Sequence, residues 1–530
     1  MTNISQLTSY DLLPYPPYSF PVTHLARLAA IGRIFGLNTA DPAHARVLEL
    51  GCGSGINLVA QSQLFPEAEF VGIDASSKQI DTGLEAIAAA GTDRVRLICG
   101  DLAKLDEDLG QFDYIITHGI YSWVPKEVKE AILRISSENL KPEGIAYISY
   151  NCLPGWRMRG ALRDMMIMHT GGIADLPGKV AQGKALIKFL AESCGEDTPY
   201  GKYLRQELDM LTKVDDSYIA HEFLEDENDA MYFLDFLKEA ANHKLGYLGD
   251  AEVSSMVADN LPPQAAQTLK SLNLNLLATE QYMDFVRNRT FRSTLLCHAG
   301  SELNRNVEPS RLDTLEVGTF ITLKESAKDG KLATFTNAAG LVLSVQEPAT
   351  ALVFEKVAAL GRNFQPVPQF LDAVIAESGD KLPGDDDAAK RDFAARVLLQ
   401  GYFRRMLEFT AGPLLRRAAT SENPETLPLA RWQVNNRHRI SSQRLDMHNA
   451  DAFIGKLITV CDGTRDRTAI IDAMTEAVRN KEFQLNENNQ PVTDDERARF
   501  IIEQLYDGSL QNLRQLGLLV PQANGNGSHA

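Results

Sequence analysis

Cysteine is scarce and dispersed: Cys52, Cys99, Cys152, Cys194, Cys297 and Cys461 form no CxxC pair, and no histidine is placed to complete a zinc site. That spacing argues against structural disulfides and against a bound metal. Long apolar runs are missing too, since no stretch of about 18 uninterrupted apolar residues occurs. The opening "MTNISQLTSYDLLPYPPYSF" lacks the basic-then-apolar order of an export signal, so the expectation is a cytoplasmic chain with no membrane partner. Basic charge is in deficit: 53 Lys and Arg against 70 Asp and Glu leave a net charge of -17, which opposes binding to long nucleic acid. A basic or neutral partner is easier to accommodate. No repeat of solenoid length is present, and 530 residues are too many for one core, so several domains are expected.

What is present begins with "VLELGCGSGINLVA", Val47 to Ala60, in which three glycines fall within five residues after an apolar run. Glycines so spaced let a backbone approach a ligand closely. A phosphate-cradling GxxxxGK[ST] loop needs a lysine and a hydroxyl residue, whereas Ile56 and Asn57 follow Gly55. The dinucleotide GxGxxG pattern fits poorly, because Ile56 stands where its last glycine would be. Glu49, just before the turn, would repel a pyrophosphate and attract a cation.

From Arg46 the chain alternates strand and helix patterns. "ARVLEL", "EFVGID", "VRLICGD", "FDYIITHG" and "GIAYISYN" read as strands, separated by helical stretches such as "SKQIDTGLEAIAAAG" and "PKEVKEAILRISSENL". This order predicts an α/β fold with a doubly wound, mostly parallel, Rossmann-like sheet whose ligands bind at the carboxyl ends of the strands. "YIAHEFLED" reads as a further strand or an ordered substrate-side segment, and "AMYFLDFLKEAANHKLGYLGDAEVS" as a helix leading into a late strand. "DNLPPQAAQTLKSL" and "TEQYMDFVRNRTFRSTLLCHAG" read as helices with a basic, aromatic stripe. Asp329-Gly330 centres a hairpin pattern, and helical segments including "RDFAARVLLQGYFRRMLEFTAG" surround it, suggesting helical and winged-helix-like C-terminal domains.

Two further carboxylates join the glycine turn. Asp74 ends the second strand, where it could accept hydrogen bonds from two ribose hydroxyls; Asp101 ends the third, where it could accept from an adenine amino group. The alternative makes the glycines plain strand-to-helix turns and the aspartates helix caps. Glu49, Gly51, Gly53 and Gly55, then Asp74, then Asp101 with Leu102 resemble the cofactor motifs of class I S-adenosylmethionine-dependent methyltransferases. The segments "SYDLLPYPPYSFPVTHLARLAAIGRIFG", "HGIYSWVP", "YNCLPGWRMRGALRDMM", "HEFLEDENDAMYFLDFL" and "FVRNRTFRSTLLC" resemble bacterial methyltransferases that carry a methyltransferase regulatory domain, a group that includes rickettsial outer-membrane-protein lysine methyltransferases. The resemblance implies S-adenosyl-L-methionine as cofactor and divides the chain as follows. Residues 1–258 are the cofactor-binding domain with its N-terminal substrate-side segment, 218–300 an overlapping regulatory region, 301–520 a winged-helix-like region and 521–530 a frayed tail.

The acceptor is less defined. Adenine and glutamine methylases carry an (N/D)PPY-like motif after the fourth strand, where this chain has "THGIYSWVP". The resemblance implies transfer to lysine side chains of a protein partner; a small metabolite acceptor and a non-catalytic binding module are the alternatives, and a homodimer is left open. Tyr10, Tyr15, Tyr121, Trp123 and Trp156 could line an aromatic entrance for an alkylammonium chain, or pack in a core. Asp11 and Glu222 could orient the amine, or be caps or solvated carboxylates. His118, at the end of the fourth strand, could touch the cofactor or shape the acceptor pocket, or be a satisfied structural histidine. His24 is a candidate for the methionine end of the cofactor. Arg287, Arg289 and Arg292 are the strongest local argument for nucleic acid, against which stands a solvated or interdomain salt-bridging face.

Overall fold

Strands β1 (Arg46–Leu50), β2 (Glu69–Asp74), β3 (Val95–Cys99), β4 (Phe112–Thr117) and β5 (Leu140–Asn151) run parallel. They join β6 (Leu245–Asp250) and β7 (Phe291–His298) in one seven-stranded sheet ordered β3-β2-β1-β4-β5-β7-β6, with β7 antiparallel to both its neighbours. The computed structural model describes residues 13, 15–105, 108–319, 321–325, 332–337, 340–361, 363–416, 421–488 and 490–521. Among the described residues, no helix is long and apolar enough to cross a membrane.

Both faces of the sheet are buried, as parallel strands require. Val47, Tyr114, Ile116 and Tyr147 pack with helices Leu25–Ile34 and Ile56–Leu64 on one side; Leu48, Leu50, Ile115 and Ile148 pack with Lys126–Glu138 and Phe233–Asn242 on the other. Between β5 and β6 the chain makes an insert of helices Trp156–Thr170, Leu176–Ser193, Pro199–Leu211 and Asp216–Phe223, with its own core of Leu162, Met166, Ile187, Leu204 and Phe223. "YIAHEFLED" is thus mainly helix and not a strand.

The stretch from Thr279 to Gly300 is not one helix. Helix Leu276–Arg287 stops at Asn288, whose φ of 48° is left-handed, and β7 follows. Buried Arg292 on β7 closes the corner by pairing back onto Asp284 of that helix at 2.8 Å. "RDFAARVLLQGYFRRMLEFTAG" is likewise divided: its helix Asp387–Phe403 ends before Glu408–Thr410, which pairs with Glu316–Gly318. Strands Thr322–Glu325 and Ala333–Thr336 pair antiparallel around the expected hairpin, whose turn residues Asp329 and Gly330 lie outside the described residues.

At the C-terminal end, helices Pro428–Asn435, Ala452–Val460, Arg467–Arg479 and Asp495–Leu516 pack around Leu457, Ile470, Met474 and Ile502, with a small wing of Asn486–Glu487 against Gln490–Pro491. This winged-helix body docks on the first sheet's helices, where Gln63 Oε1 accepts from the Leu429 amide at 3.3 Å.

Candidate active site

The carboxyl ends of β1, β2 and β3 lie side by side, which brings Glu49, Asp74 and Asp101 to one edge. Gly51, Gly53 and Gly55 all take left-handed φ values, 69°, 54° and 66°, in the turn from β1 into the next helix. At Gly51 a side chain is excluded twice over, because a Cβ would also come within 2.6 Å of Ile120. At Gly53 a Cβ would meet nothing within 4 Å, so this backbone borders open space. Its amide donates to Asp74 Oδ2 at 2.8 Å while the Ser76 amide donates to Oδ1 at 2.9 Å, fixing that carboxylate at the strand end.

Glu49 is almost fully buried, and only one of its oxygens is satisfied. Oε1 accepts from Asn57 Nδ2 at 3.0 Å; Oε2 has no hydrogen-bond partner among the described residues. Burial pushes the carboxyl up to about 8, and nearby Asp74 adds to the rise against the Asn57 hydrogen bond. A cationic group beside Oε2 would satisfy the orphaned oxygen and stabilise its charge. Asp101 differs: its Oδ1 caps the following turn through the Ala103 amide at 3.0 Å and its Oδ2 takes Lys104 Nζ at 2.7 Å. The Lys104 hydrogen bond chiefly holds that exposed carboxylate below its ordinary range. Leu102, next to it, is buried in the sheet's second core.

His118 stands past the end of β4. Its ring lies 3.9 Å from that of Phe20, 5.8 Å from Tyr147 and 6.0 Å, edge-on, from Phe291. Nδ1 shares a 2.8 Å hydrogen bond with the Tyr147 hydroxyl. Burial lowers its pKa to about 4, so the ring is neutral at physiological pH. Phe20 is held in turn by Asn57, whose Oδ1 accepts from its amide at 3.0 Å. The segment Tyr15 to Phe20 crosses the strand ends. The Tyr15 carbonyl accepts from Gln79 at 3.4 Å, the Tyr15 ring lies 4.4 Å from His221 of the insert, and the Ser19 hydroxyl donates to the Leu445 carbonyl of the winged-helix body at 3.0 Å.

The other candidates separate. Trp123 is half-buried and meets Trp156 edge-to-face at 6.0 Å; Arg159 lies 5.7 Å over the Trp156 ring. Beside Arg159, burial pushes Glu222 up to about 7, against the pull of Arg159 and His221. Tyr121 does not line an entrance. The turn Tyr121–Trp123 rotates it inward, where it is fully buried, edge-on to Phe236 at 5.3 Å, and donates to Glu239 at 2.6 Å. His24 is also withdrawn from the edge, fully buried and accepting through Nδ1 from the Ala26 amide as the cap of helix Leu25–Ile34. Tyr10 and Asp11 lie outside the described residues. Arg289 and Arg292 are no exposed basic face, since both are withdrawn from the surface in ion pairs with Asp250 and Asp284. Sequence reasoning missed Asn57, Phe20 and Tyr147. A polar residue in the otherwise apolar run from Ile56 to Ala60 was the available signal for Asn57.

Three family models match the chain: a methyltransferase domain over residues 47–144, a predicted methyltransferase regulatory domain over 215–298, and the C-terminal winged-helix domain of PKMT over 422–518. The chain is 32% identical over 525 residues to the uncharacterised protein RP789 of Rickettsia prowazekii, spanning 96% of this chain and 93% of that relative. It is 42% identical over 233 residues to a second protein of that organism, RP028, spanning 44% of this chain and 93% of the relative. The solved structure of PKMT2 from Rickettsia typhi in complex with AdoHcy is 31% identical and covers 96% of this chain and all of that one, with a TM-score of 0.82. The chain belongs to the rickettsial PKMT family of methyltransferases. It is therefore an S-adenosyl-L-methionine-dependent methyltransferase, with the sheet and the winged-helix body expected of that family. Glu49's orphaned oxygen, buried beside a glycine turn, fits a sulfonium cofactor whose amino acid end carries an ammonium group.

Proposed function

We propose that this methyltransferase acts on lysine side chains of a protein. The observation that carries the reading is the likeness to PKMT2 over 96% of the chain, together with the match of residues 422–518 to the PKMT winged-helix domain. In this reading Gly51, Gly53 and Gly55 cradle the cofactor, Glu49 faces its cationic end, Asp74 takes the ribose hydroxyls, and Asp101 with Leu102 borders the adenine. Bound there, the cofactor supplies an electrophilic methyl on sulfonium. His118 walls the acceptor side as a neutral ring that does not repel a cation. Trp123 offers an aromatic face to the alkyl stem and ammonium of the lysine, an attraction of about 0.5 to 2 kcal/mol, while Trp156 is buried behind it as a packing residue. The arrangement contributes alignment and exclusion of water.

A tritium-labelled cofactor assay on cell extract tests this. Label in protein supports the reading. Label confined to extractable small molecules, or no transfer at all, contradicts it.

A further inference from the structure

Alternate residues of β5 carry a row of polar side chains on the face that also holds Glu49. Tyr147 and Ser149 both grip His118, at 2.8 Å and 3.5 Å from Nδ1. Asn151 is the next in the row. Tyr147 is level with Ile116, which is itself level with Glu49, so Asn151 stands roughly 13 Å farther along the strand, outward from the cofactor edge. It pairs in register with Phe291, whose ring abuts His118.

The backbone of Asn151 is pinned on both sides. Its amide donates to the Ser122 hydroxyl at 2.9 Å, one residue before Trp123, and its carbonyl accepts from the Met231 amide at 3.1 Å. The side chain is treated differently. Asn151 is only 3% exposed, yet Nδ2 has no hydrogen-bond partner among the described residues. Buried amides are normally satisfied, so an orphaned one at the outer end of this polar row points to a ligand that completes it. The two ends of the amide exchange by a half-turn about the last side-chain bond, which presents either donor or acceptor at that point without moving other atoms.

We propose that Asn151 holds the attacking lysine amine, its amide oxygen accepting one N–H so that the nitrogen lone pair faces the methyl. The proposal rests on the lysine reading of the same site. A neutral amide suits this task better than a carboxylate, because it orients the amine without a charge that would keep the lysine protonated. The entering ammonium first gives a proton to water. The amine lone pair then forms the N–C bond as the C–S bond breaks and its electron pair stays on sulfur, leaving S-adenosylhomocysteine; the methylated product carries the positive charge and sheds its own proton to solvent. His118 titrates at about 4, and burial pushes Cys152 up to about 12 and Tyr147 upward, whereas Glu222 at about 7 and Glu49 at about 8 titrate inside the working range, so each variant's pH profile is read against that of the wild type.

The test uses the full chain with Asn151→Ala, Asn151→Ser and Asn151→Asp, each checked for its melting temperature and for cofactor affinity by calorimetry, with lysine methylation rates measured from pH 7 to 9.5. Asn151→Ala should lower kcat about tenfold or more, with cofactor Kd within about twofold, and Asn151→Ser should restore part of the rate. Asn151→Asp should move the rise in rate upward by about one pH unit, because its carboxylate holds the ammonium form. Lysine product made at wild-type rate and pH profile by all three variants overturns the assignment alone. A fall in cofactor affinity matching the fall in kcat overturns it too. Absence of lysine product from the wild-type protein overturns the lysine reading together with it.

Discussion

Asn57 donates one amide hydrogen to Oε1 of Glu49 and leaves Oε2 of the same carboxylate buried without a hydrogen-bond partner among the described residues. In the proposed site, a cationic group of the cofactor would complete this carboxylate.

The raised value of Glu49, about 8, gives this a pH signature. Binding a cationic cofactor requires the ionised carboxylate, so affinity should rise from pH 6 to 7.5 by up to about tenfold per unit. Glu49→Gln should bind about tenfold more weakly at pH 7.5 and lose most of that slope. In the ligand-free protein the sign is opposite. A carboxyl raised by folding contributes stability that is present below its unfolded value and lost as pH rises through about 8, so wild type should lose melting temperature over that window relative to Glu49→Gln. Calorimetry and thermal melts check both, and a flat affinity profile in wild type would contradict the assignment.

Trp123 is half-buried and meets Trp156 edge-to-face. Trp123→Ala should reduce methyl transfer about 3- to 30-fold while leaving cofactor affinity nearly unchanged, the separation expected of an acceptor-side aromatic. Equal losses in both quantities, or a melted variant, would make it a packing residue.

Arg292 is 1% exposed and meets Asp284 through two hydrogen bonds of 2.8 Å and 3.0 Å, and Glu280 at 3.1 Å, with its guanidinium 3.8 Å from the Phe233 ring. Arg292→Met leaves those acids buried with less compensation, and urea unfolding should show a loss of about 3 to 5 kcal/mol. A loss below about 1 kcal/mol would mean that the acids simply take up protons in the variant.

The sheet and its acidic edge were legible because strand and helix alternate with clear periods and because Glu49, Asp74 and Asp101 each fall within two residues of a strand end. The errors have local causes. Tyr121 lies as close to a strand end as Trp123, but the single helical turn between them sends one ring into the core and the other outward. The Thr279 to Gly300 stretch looked continuous because a left-handed Asn288 carries no signal in the hydrophobic period. Asn151 was hidden as the last of several polar residues on its strand, where only the burial of its unpartnered amide distinguishes it.

The central claim is transfer to lysine nitrogen, and mass spectrometry of acceptor proteins incubated with the purified enzyme and S-adenosyl-L-methionine tests it most directly. The rate should also climb between about pH 7 and 9, because an ordinary lysine with a pKa of about 10.4 gains its lone pair over that range. Additions of methyl mass are expected on lysine residues. Methyl groups found only on carboxylates, hydroxyls or a small metabolite, with every lysine unmodified, would contradict the claim.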